Sequence, residues 1–307
     1  MKLSRREVVK LGLGTGASLV LGWRPAFGQA PSLILRPIPS SGETVPAVGI
    51  GTRDYRVGPS SSERAPFKAT LKAFAELGGT VLDTAPSYGN AESVVGDLIA
   101  ELGIRDALFL ATKVDREGRQ QGLDRMQSSM RLLRTDKIDL IQVHNLRDSD
   151  TQLATLREWK QQGRIRYLGV TTSSGRQYER LDGIMERETL DFVQINYSLA
   201  SRRAADRLLP LAADRGIAVL VNLPYGRGRL FRRVGERPLP DWAAEIDCTS
   251  WGQVFLKYVI SHPAVTCAIP GTTKDYHAVD NMGAARGRLP DEGLRRRMEQ
   301  LYDSLPE

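Results

Sequence analysis

The chain has 307 residues, 41% of them hydrophobic and 26% charged, which suits one soluble barrel-sized domain after a short leader. Its net charge is +7, but residues 1–30 hold five basic residues and one acid, so the remainder is only mildly basic and nucleic-acid binding is not predicted. The two cysteines, Cys248 and Cys267, and the scattered histidines predict neither a disulfide framework nor a metal site.

Residues 1–30 have the order of features found in an export signal. Arg5 and Arg6 precede a mildly apolar stretch at 11–23, and small residues typical of a cleavage site follow. The paired arginines followed by Lys10 resemble a twin-arginine signal, and the apolar stretch is too short for a stable membrane anchor. We therefore expect export as a folded protein, periplasmic or otherwise, through the twin-arginine machinery; the alternative is an arginine-rich amphipathic helix.

Short β runs alternate with helix-patterned segments over residues 31–307. Apolar runs at 33–38 and 45–48 flank a turn-rich segment and predict a β-hairpin that caps the bottom of the domain. Helices are predicted at Ala65–Leu77, Leu153–Gln162 and Ser250–Ser261. The predicted strands are Val45–Thr52, Thr80–Asp83, Leu108–Lys113, Ile138–His144, Ile165–Thr171, Phe192–Tyr197, Ile217–Asn222 and Val265–Ile269. Eight such units predict a single α/β domain, a (β/α)8 TIM barrel, and we expect a monomer.

Barrel enzymes place their chemistry at the carboxyl ends of the strands. The polar residues that end the predicted strands are Thr52, Asp83, Lys113, His144, Thr171, Thr172, Asn196 and Asn222. An aspartate, a lysine and a histidine at three successive strand ends form a reactive set; the alternative for each is a cap or a local salt bridge.

The segment from Asp83 to Gly89 reads Asp-Thr-Ala-Pro-Ser-Tyr-Gly, and Lys113 and His144 end later strands. With these motifs, nearly all of residues 33–283 resemble the aldo-keto reductases. The resemblance implies reduction of an aldehyde or ketone by hydride transfer from a nicotinamide cofactor. It implies that Tyr88 is the proton donor, that Lys113, held by Asp83, favours the phenolate, and that His144 orients the carbonyl.

The resemblance also implies a cofactor-binding site formed by loops after the later strands, without a Rossmann domain. NADPH is the expected cofactor, and NADH is the second possibility. For the same reason the glycines at 12–16, inside the leader, are not interpreted as a cofactor loop. The residues matched to cofactor contacts are Thr52, Thr171, Thr172, Gln194, Tyr225, Gly226, Arg227, Thr272, Lys274 and Asn281. The chain departs from the family at Asn222, where an aromatic residue commonly stacks on the nicotinamide, and at Gly271 and His277 near the 2′-phosphate. Tyr225 or Tyr197 is the expected replacement for that ring, and Lys274 for the phosphate-binding cations.

Arg53, Tyr55 and Asn145 are the candidate residues of the substrate pocket, and Arg53 suits a polar or anionic carbonyl compound. Two other functions stay open at this point. One is a nicotinamide-cofactor-binding sensor or accessory subunit with little turnover, which the altered nicotinamide seat favours. The other is an unrelated barrel enzyme, such as a phosphate-binding lyase or isomerase.

Overall fold

The computed structural model describes residues 32–306, so the predicted export signal lies outside the described residues. The described part begins with a two-stranded antiparallel hairpin, β1 (Leu35–Pro37) and β2 (Thr44–Pro46). Ile38 and Val45 from this hairpin are buried in the same apolar cluster as the interior side chains of the barrel. The hairpin therefore closes the bottom of the barrel, and the sequence prediction of a capping hairpin is confirmed.

Eight parallel strands follow in sequential order around the sheet. They are β3 (Ile50–Gly51), β4 (Val81–Asp83), β5 (Phe109–Val114), β6 (Ile138–His144), β7 (Ile165–Thr171), β8 (Phe192–Asn196), β9 (Ala218–Asn222) and β10 (Cys267–Ala268). Parallel bridges from Val48 to Ala268 and from Gly51 to Gly271 join the last strand to the first. The predicted closed barrel is confirmed.

One of the eight predicted strands is wrong, whereas the ends of the other seven lie within two residues of the observed ends. The apolar run Val45–Thr52 predicted a single strand, but the run divides between β2 of the hairpin and β3 of the barrel. The chain enters the barrel at Gly49, whose backbone N–H donates to the Ala268 carbonyl at 2.8 Å. A Cβ at this glycine would lie 2.6 Å from the Val81 carbonyl oxygen, so the close approach of the two strands requires glycine here.

Ten α-helices of the described region surround the strands. They are α1 (Ser61–Glu76), α2 (Ala91–Leu102), α3 (Arg119–Leu132), α4 (Ser149–Gln161), α5 (Tyr178–Arg187), α6 (Leu208–Asp214), α7 (Arg229–Val234), α8 (Trp251–Ile260), α9 (Asp275–Ala284) and α10 (Glu292–Ser304). Helix α8 begins where the sequence predicted, because the Ser250 hydroxyl accepts a hydrogen bond from the Gln253 N–H at 3.0 Å. None of the helices in residues 32–306 has the length and apolar character needed to cross a membrane.

Alternation along the strands separates the barrel interior into an apolar lower part and a polar upper part. Phe109, Tyr167 and Phe192 meet in the lower part, with ring centroids 5.5–5.7 Å apart. Two or four residues further along the same strands, side chains of the same parity are polar, as at Lys113, Thr171 and Gln194. The register of the strands therefore gathers polar side chains at one end of the barrel.

Gly96 tests how closely the outer helices pack. It lies in α2, where a Cβ would come within 2.0 Å of the Leu132 carbonyl oxygen at the end of α3. We expect Gly96→Ala to lower the free energy of unfolding, measured by urea titration, by about 1–3 kcal/mol because the two helices must separate. Gly183→Ala is the matched control, since Gly183 lies inside α5, where the nearest side-chain atom to the added carbon is Arg187 Nη1 of the same helix at 3.8 Å. This control should raise stability by about 0.5–1 kcal/mol, and equal effects of the two variants would contradict the packing argument.

Candidate active site

A cleft of about 680 Å³ lies at the carboxyl ends of the barrel strands. Asp83 ends β4, Lys113 lies near the end of β5 and His144 ends β6, and all three side chains line this cleft. Tyr88 reaches the same cleft from the loop after β4. The residues that sequence analysis placed on successive strand ends are therefore close together, because adjacent parallel strands end at the same edge.

Lys113 and Asp83 form a buried ion pair at the floor of the cleft. The Lys113 ammonium donates to both carboxylate oxygens at 2.8 Å and to the Thr84 carbonyl at 2.7 Å. The two residues are 1% and 3% exposed. Burial lowers the pKa of Lys113, but the Asp83 carboxylate, with smaller contributions from Tyr88 and Glu92, raises it by more in total, so the pKa lies above the ordinary lysine value. The lysine therefore stays charged without contact with solvent.

Two glutamines extend this pair across the barrel. Gln194 donates from its amide nitrogen to Asp83 at 3.4 Å, and its carbonyl oxygen accepts from the Gln142 amide at 2.8 Å. Both glutamines are buried and lie on β8 and β6. Gln194 also lines the cleft, and its amide group links Gln142 to the Asp83 carboxylate.

Tyr88 lies beside the lysine in a tight turn. The Lys113 ammonium is 5.4 Å from the centroid of the Tyr88 ring. The Tyr88 N–H donates to the Ala85 carbonyl at 3.0 Å, and Gly89 follows with a φ of 62°, a conformation that glycine adopts easily. The turn holds the phenol next to a fixed positive charge.

His144 is neutral at physiological pH. Burial lowers the pKa of its imidazole to about 4, and the nearby Lys113 charge acts in the same direction. Its Nδ1 lies 3.3 Å from the Ser87 hydroxyl, and its ring meets the Tyr88 ring edge-on at 6.2 Å. Ser87 was not among the predicted functional residues, because the motif fixes its place before Tyr88 but does not reveal its contact with His144, 57 positions away.

A second cavity of about 440 Å³ adjoins the cleft on the side of the later strands. Tyr225, Gly228 and Gly271 line both cavities. Thr272 and Asn281 line the second one, and the Tyr225 hydroxyl donates to the Asn281 side-chain oxygen at 2.5 Å. Together the two cavities form an elongated site of the kind that a dinucleotide requires, with the ion pair at one end.

Asn222 supplies a specific test of this fit. Its amide nitrogen donates to the Thr172 carbonyl at 3.3 Å, while its side-chain oxygen is buried and has no hydrogen-bond partner among residues 32–306. Asn222 lines the cleft. A buried oxygen without a donor is unfavourable, and the carboxamide N–H of a nicotinamide is a donor of the required kind. The residues present therefore fit the expected cofactor.

The structure brings most of the predicted binding residues to these cavities. Those that line the cleft, besides Gln194 and Tyr225, are Thr52, Arg53, Asn145, Thr171 and Arg227. Gly226 and Lys274 line neither cavity and lie beside residues that do. Their cofactor contacts stay predictions.

Three expectations require correction. Tyr55, predicted in the substrate pocket, is fully buried and packs edge-on against Phe67 at 4.9 Å. Thr172, predicted at the carboxamide, is fully buried and is not among the residues that line the cleft, and its hydroxyl donates to the Gln177 side-chain oxygen at 2.5 Å. Tyr197, one of two expected replacements for the stacking ring, is buried and hydrogen-bonds Tyr258 at 3.3 Å, so only Tyr225 lies where a cofactor would meet it.

Asp83→Asn tests how far the ion pair supports the fold. The variant leaves a buried ammonium without its counterion, so we expect unfolding free energy, measured by urea titration, to fall by about 3–5 kcal/mol. Asp150→Asn is the matched control, because its pair with Arg187 has side chains 83% and 52% exposed. The control should cost less than about 1 kcal/mol. A loss at Asp83 no larger than at Asp150 would show that the buried pair does not stabilise the barrel.

Comparison with known proteins agrees with this geometry. The model of the Aldo/keto reductase family matches residues 47–301. Methylglyoxal reductase YeaE of Escherichia coli is 32% identical over 259 residues, which cover 82% of this chain and 89% of that protein. An aldo/keto reductase of Klebsiella pneumoniae, solved with NADP and acetate, is 26% identical with a TM-score of 0.73, covering 87% of this chain and 95% of that one. The holo form of AKR11C1 from Bacillus halodurans is 26% identical with a TM-score of 0.70, covering 88% and 96%. The chain belongs to the aldo/keto reductase family.

Proposed function

We propose that the protein reduces an aldehyde or a ketone to the alcohol by hydride transfer from NAD(P)H. One observation carries the proposal: a buried, charged Lys113, held by Asp83, faces the Tyr88 ring at 5.4 Å in a cleft that His144 also lines. Family membership makes the earlier alternative of an unrelated barrel enzyme wrong.

The bound cofactor supplies the hydride for the carbonyl carbon. The protein supplies the proton for the carbonyl oxygen, and Tyr88 is the donor because it is an O–H group within the field of a permanent cation. Lys113 favours the phenolate that remains after transfer. Asp83 keeps the ammonium charged and fixed, so little reorganisation is needed when the phenol loses its proton.

His144 has a different task. With its pKa lowered to about 4 by burial, it carries one N–H at neutral pH and acts as a hydrogen-bond donor to the carbonyl oxygen. This bond orients the substrate toward the cofactor and stabilises charge that develops on the oxygen. Because a histidine with this pKa is already neutral above about pH 5, its titration contributes no step to the rate between pH 5 and 8.

NADPH is the proposed cofactor, with NADH as the second choice. The Klebsiella pneumoniae relative was solved with NADP. In this chain Thr272 and Asn281 line the second cavity. Gly271 and His277 stand where the family commonly has phosphate-binding cations, and Lys274, at the start of α9, is the proposed cation for the 2′-phosphate instead.

Tyr88→Phe tests the proposed chemistry. We expect the purified variant to bind NADPH as the parent does, but to reduce carbonyl compounds at least about 100-fold more slowly because the proton donor is lost. The assay follows cofactor oxidation with a panel of aldehydes and ketones that includes methylglyoxal, and cofactor affinity is measured by fluorescence titration with NADPH and NADH.

Tyr55→Phe is the matched control, since Tyr55 is a buried tyrosine outside the cleft whose hydroxyl has no partner in the described region. Its activity should equal that of the parent. Equal activity of Tyr88→Phe and parent would refute the proton-donor role. If the parent binds the cofactor but reduces no compound in the panel, the sensor or accessory-subunit alternative is supported instead.

We further propose that the protein is exported in folded form by the twin-arginine pathway. The support is the order of Arg5, Arg6 and Lys10 before an apolar stretch and small residues. Since free NADPH is not expected outside the cytoplasm, the enzyme is proposed to fold around its cofactor and to carry it across the membrane.

The export proposal is tested by fractionating cells that express the full chain. Replacing both Arg5 and Arg6 with lysine should retain the protein in the cytoplasm, whereas Arg24→Lys, outside the pair, should leave its distribution unchanged. Export of the double variant at the parental level would exclude the twin-arginine route. Exported parent protein that is free of nucleotide would exclude co-export of the cofactor.

A further inference from the structure

We propose that Ser87 is a positioning residue that fixes the tautomer of His144 and thereby determines which ring nitrogen donates to the substrate carbonyl. The inference rests on the proposed function. It starts from one contact: the Ser87 hydroxyl oxygen lies 3.3 Å from Nδ1 of His144. Within residues 32–306 this is the only hydrogen bond made by either nitrogen of that ring.

The contact matters because the ring is neutral. A neutral imidazole carries a single N–H, so one nitrogen is a donor and the other an acceptor. The positive charges of Lys113 and Arg147 oppose a second proton on the His144 ring. The Asp115 carboxylate favours that proton, but the pKa of His144 is still lowered. A carbonyl oxygen only accepts hydrogen bonds, so only the tautomer with its proton on the nitrogen that faces the substrate is productive.

A serine hydroxyl can donate or accept, so the 3.3 Å contact is compatible with either tautomer, and Ser87 selects the productive one when it is the donor. Nδ1 is engaged with the serine hydroxyl, which leaves Nε2 as the nitrogen available to a substrate. When the hydroxyl donates its hydrogen to Nδ1, that nitrogen is an acceptor and the ring proton resides on Nε2. The hydroxyl oxygen retains its lone pairs, so water can hydrogen-bond it at the exposed side of the cleft.

The loop that carries Ser87 is firmly attached to the rest of the site. Thr84, at its start, accepts a hydrogen bond from the Lys113 ammonium through its carbonyl at 2.7 Å. Pro86 is buried, and the Tyr88 N–H closes the turn onto Ala85 at 3.0 Å. One short segment thus holds both the proton donor and the residue that orients the histidine, so the two groups keep a constant relation to each other.

The tautomer is measured directly by ¹⁵N NMR of the full-length protein labelled at its three histidines. The signals of His144 are assigned by their loss in His144→Asn. We expect the parent at neutral pH to have a protonated Nε2 and an unprotonated Nδ1, and Ser87→Ala to populate both tautomers. A parent protein with its proton on Nδ1, or a Ser87→Ala variant with an unchanged tautomer, would overturn the proposal.

Kinetics supply the second readout. We expect Ser87→Ala to lower kcat by roughly 3- to 30-fold with little change in KM, because the lost interaction acts mainly in the transition state. Ser87→Thr retains a hydroxyl at the same position and should restore most of kcat, which a purely steric role for the serine would not predict. Equal kcat values for the parent and Ser87→Ala would contradict the proposal.

The two hypotheses fail in different ways. If the parent shows the expected tautomer but reduces no carbonyl compound, the proposed reductase activity is refuted. Ser87 then has no catalytic role, although its hydrogen bond to His144 is demonstrated. A parent that is an active reductase with the Nδ1 tautomer removes the role of Ser87 and leaves the reductase activity intact.

Discussion

The ion pair of Lys113 and Asp83 is the constraint around which the upper half of the barrel is organised. Transferring an ammonium and a carboxylate from water to a site at most 3% exposed costs several kcal/mol for each ion. Three hydrogen bonds from the ammonium, one of them to the Thr84 carbonyl, and a further one from Gln194 to Asp83 offset that cost. Because the charge is fixed and largely unscreened by water, its effect on Tyr88 is stronger than a surface lysine would produce.

Strand periodicity explains why so much of this site was predictable from sequence. In β5 and β6 the residues of one parity point into the barrel, so Lys113 follows Phe109 and Ala111 inward and His144 follows Leu140 and Gln142. Each placement depends only on the alternation of side chains along one strand and on the rule that the carboxyl ends of adjacent parallel strands lie at the same edge of the sheet. The same rule, applied one residue further, would have placed Thr172 correctly, because the neighbour of an inward Thr171 faces the opposite side.

Other features depend on contacts that no local pattern encodes. Tyr55 follows a turn in which its N–H donates to the Thr52 carbonyl at 3.1 Å, and that turn sends the ring into the core rather than toward the cleft. The run from Val45 to Gly51 has no polar side chain because both the hairpin and the first barrel strand bury it, so hydrophobicity does not reveal the division at Gly49. Ser87 meets His144 across 57 positions of sequence, and serine carries no spacing signal of its own.

The two halves of the proposed reaction occupy different sectors of the barrel mouth. The proton-transfer residues come from β4, β5 and β6, whereas the residues of the elongated cofactor site come mainly from β7, β9 and the segment after β10. Departures from the family pattern at Asn222, Gly271 and His277 all fall in the second sector. A change in that sector alters how the cofactor is held without disturbing the buried ion pair, since among residues 32–306 only Gln194, on β8, hydrogen-bonds the Asp83 carboxylate from that side. This chain therefore retains the residues proposed for proton transfer, whereas its cofactor-binding residues differ from the family pattern.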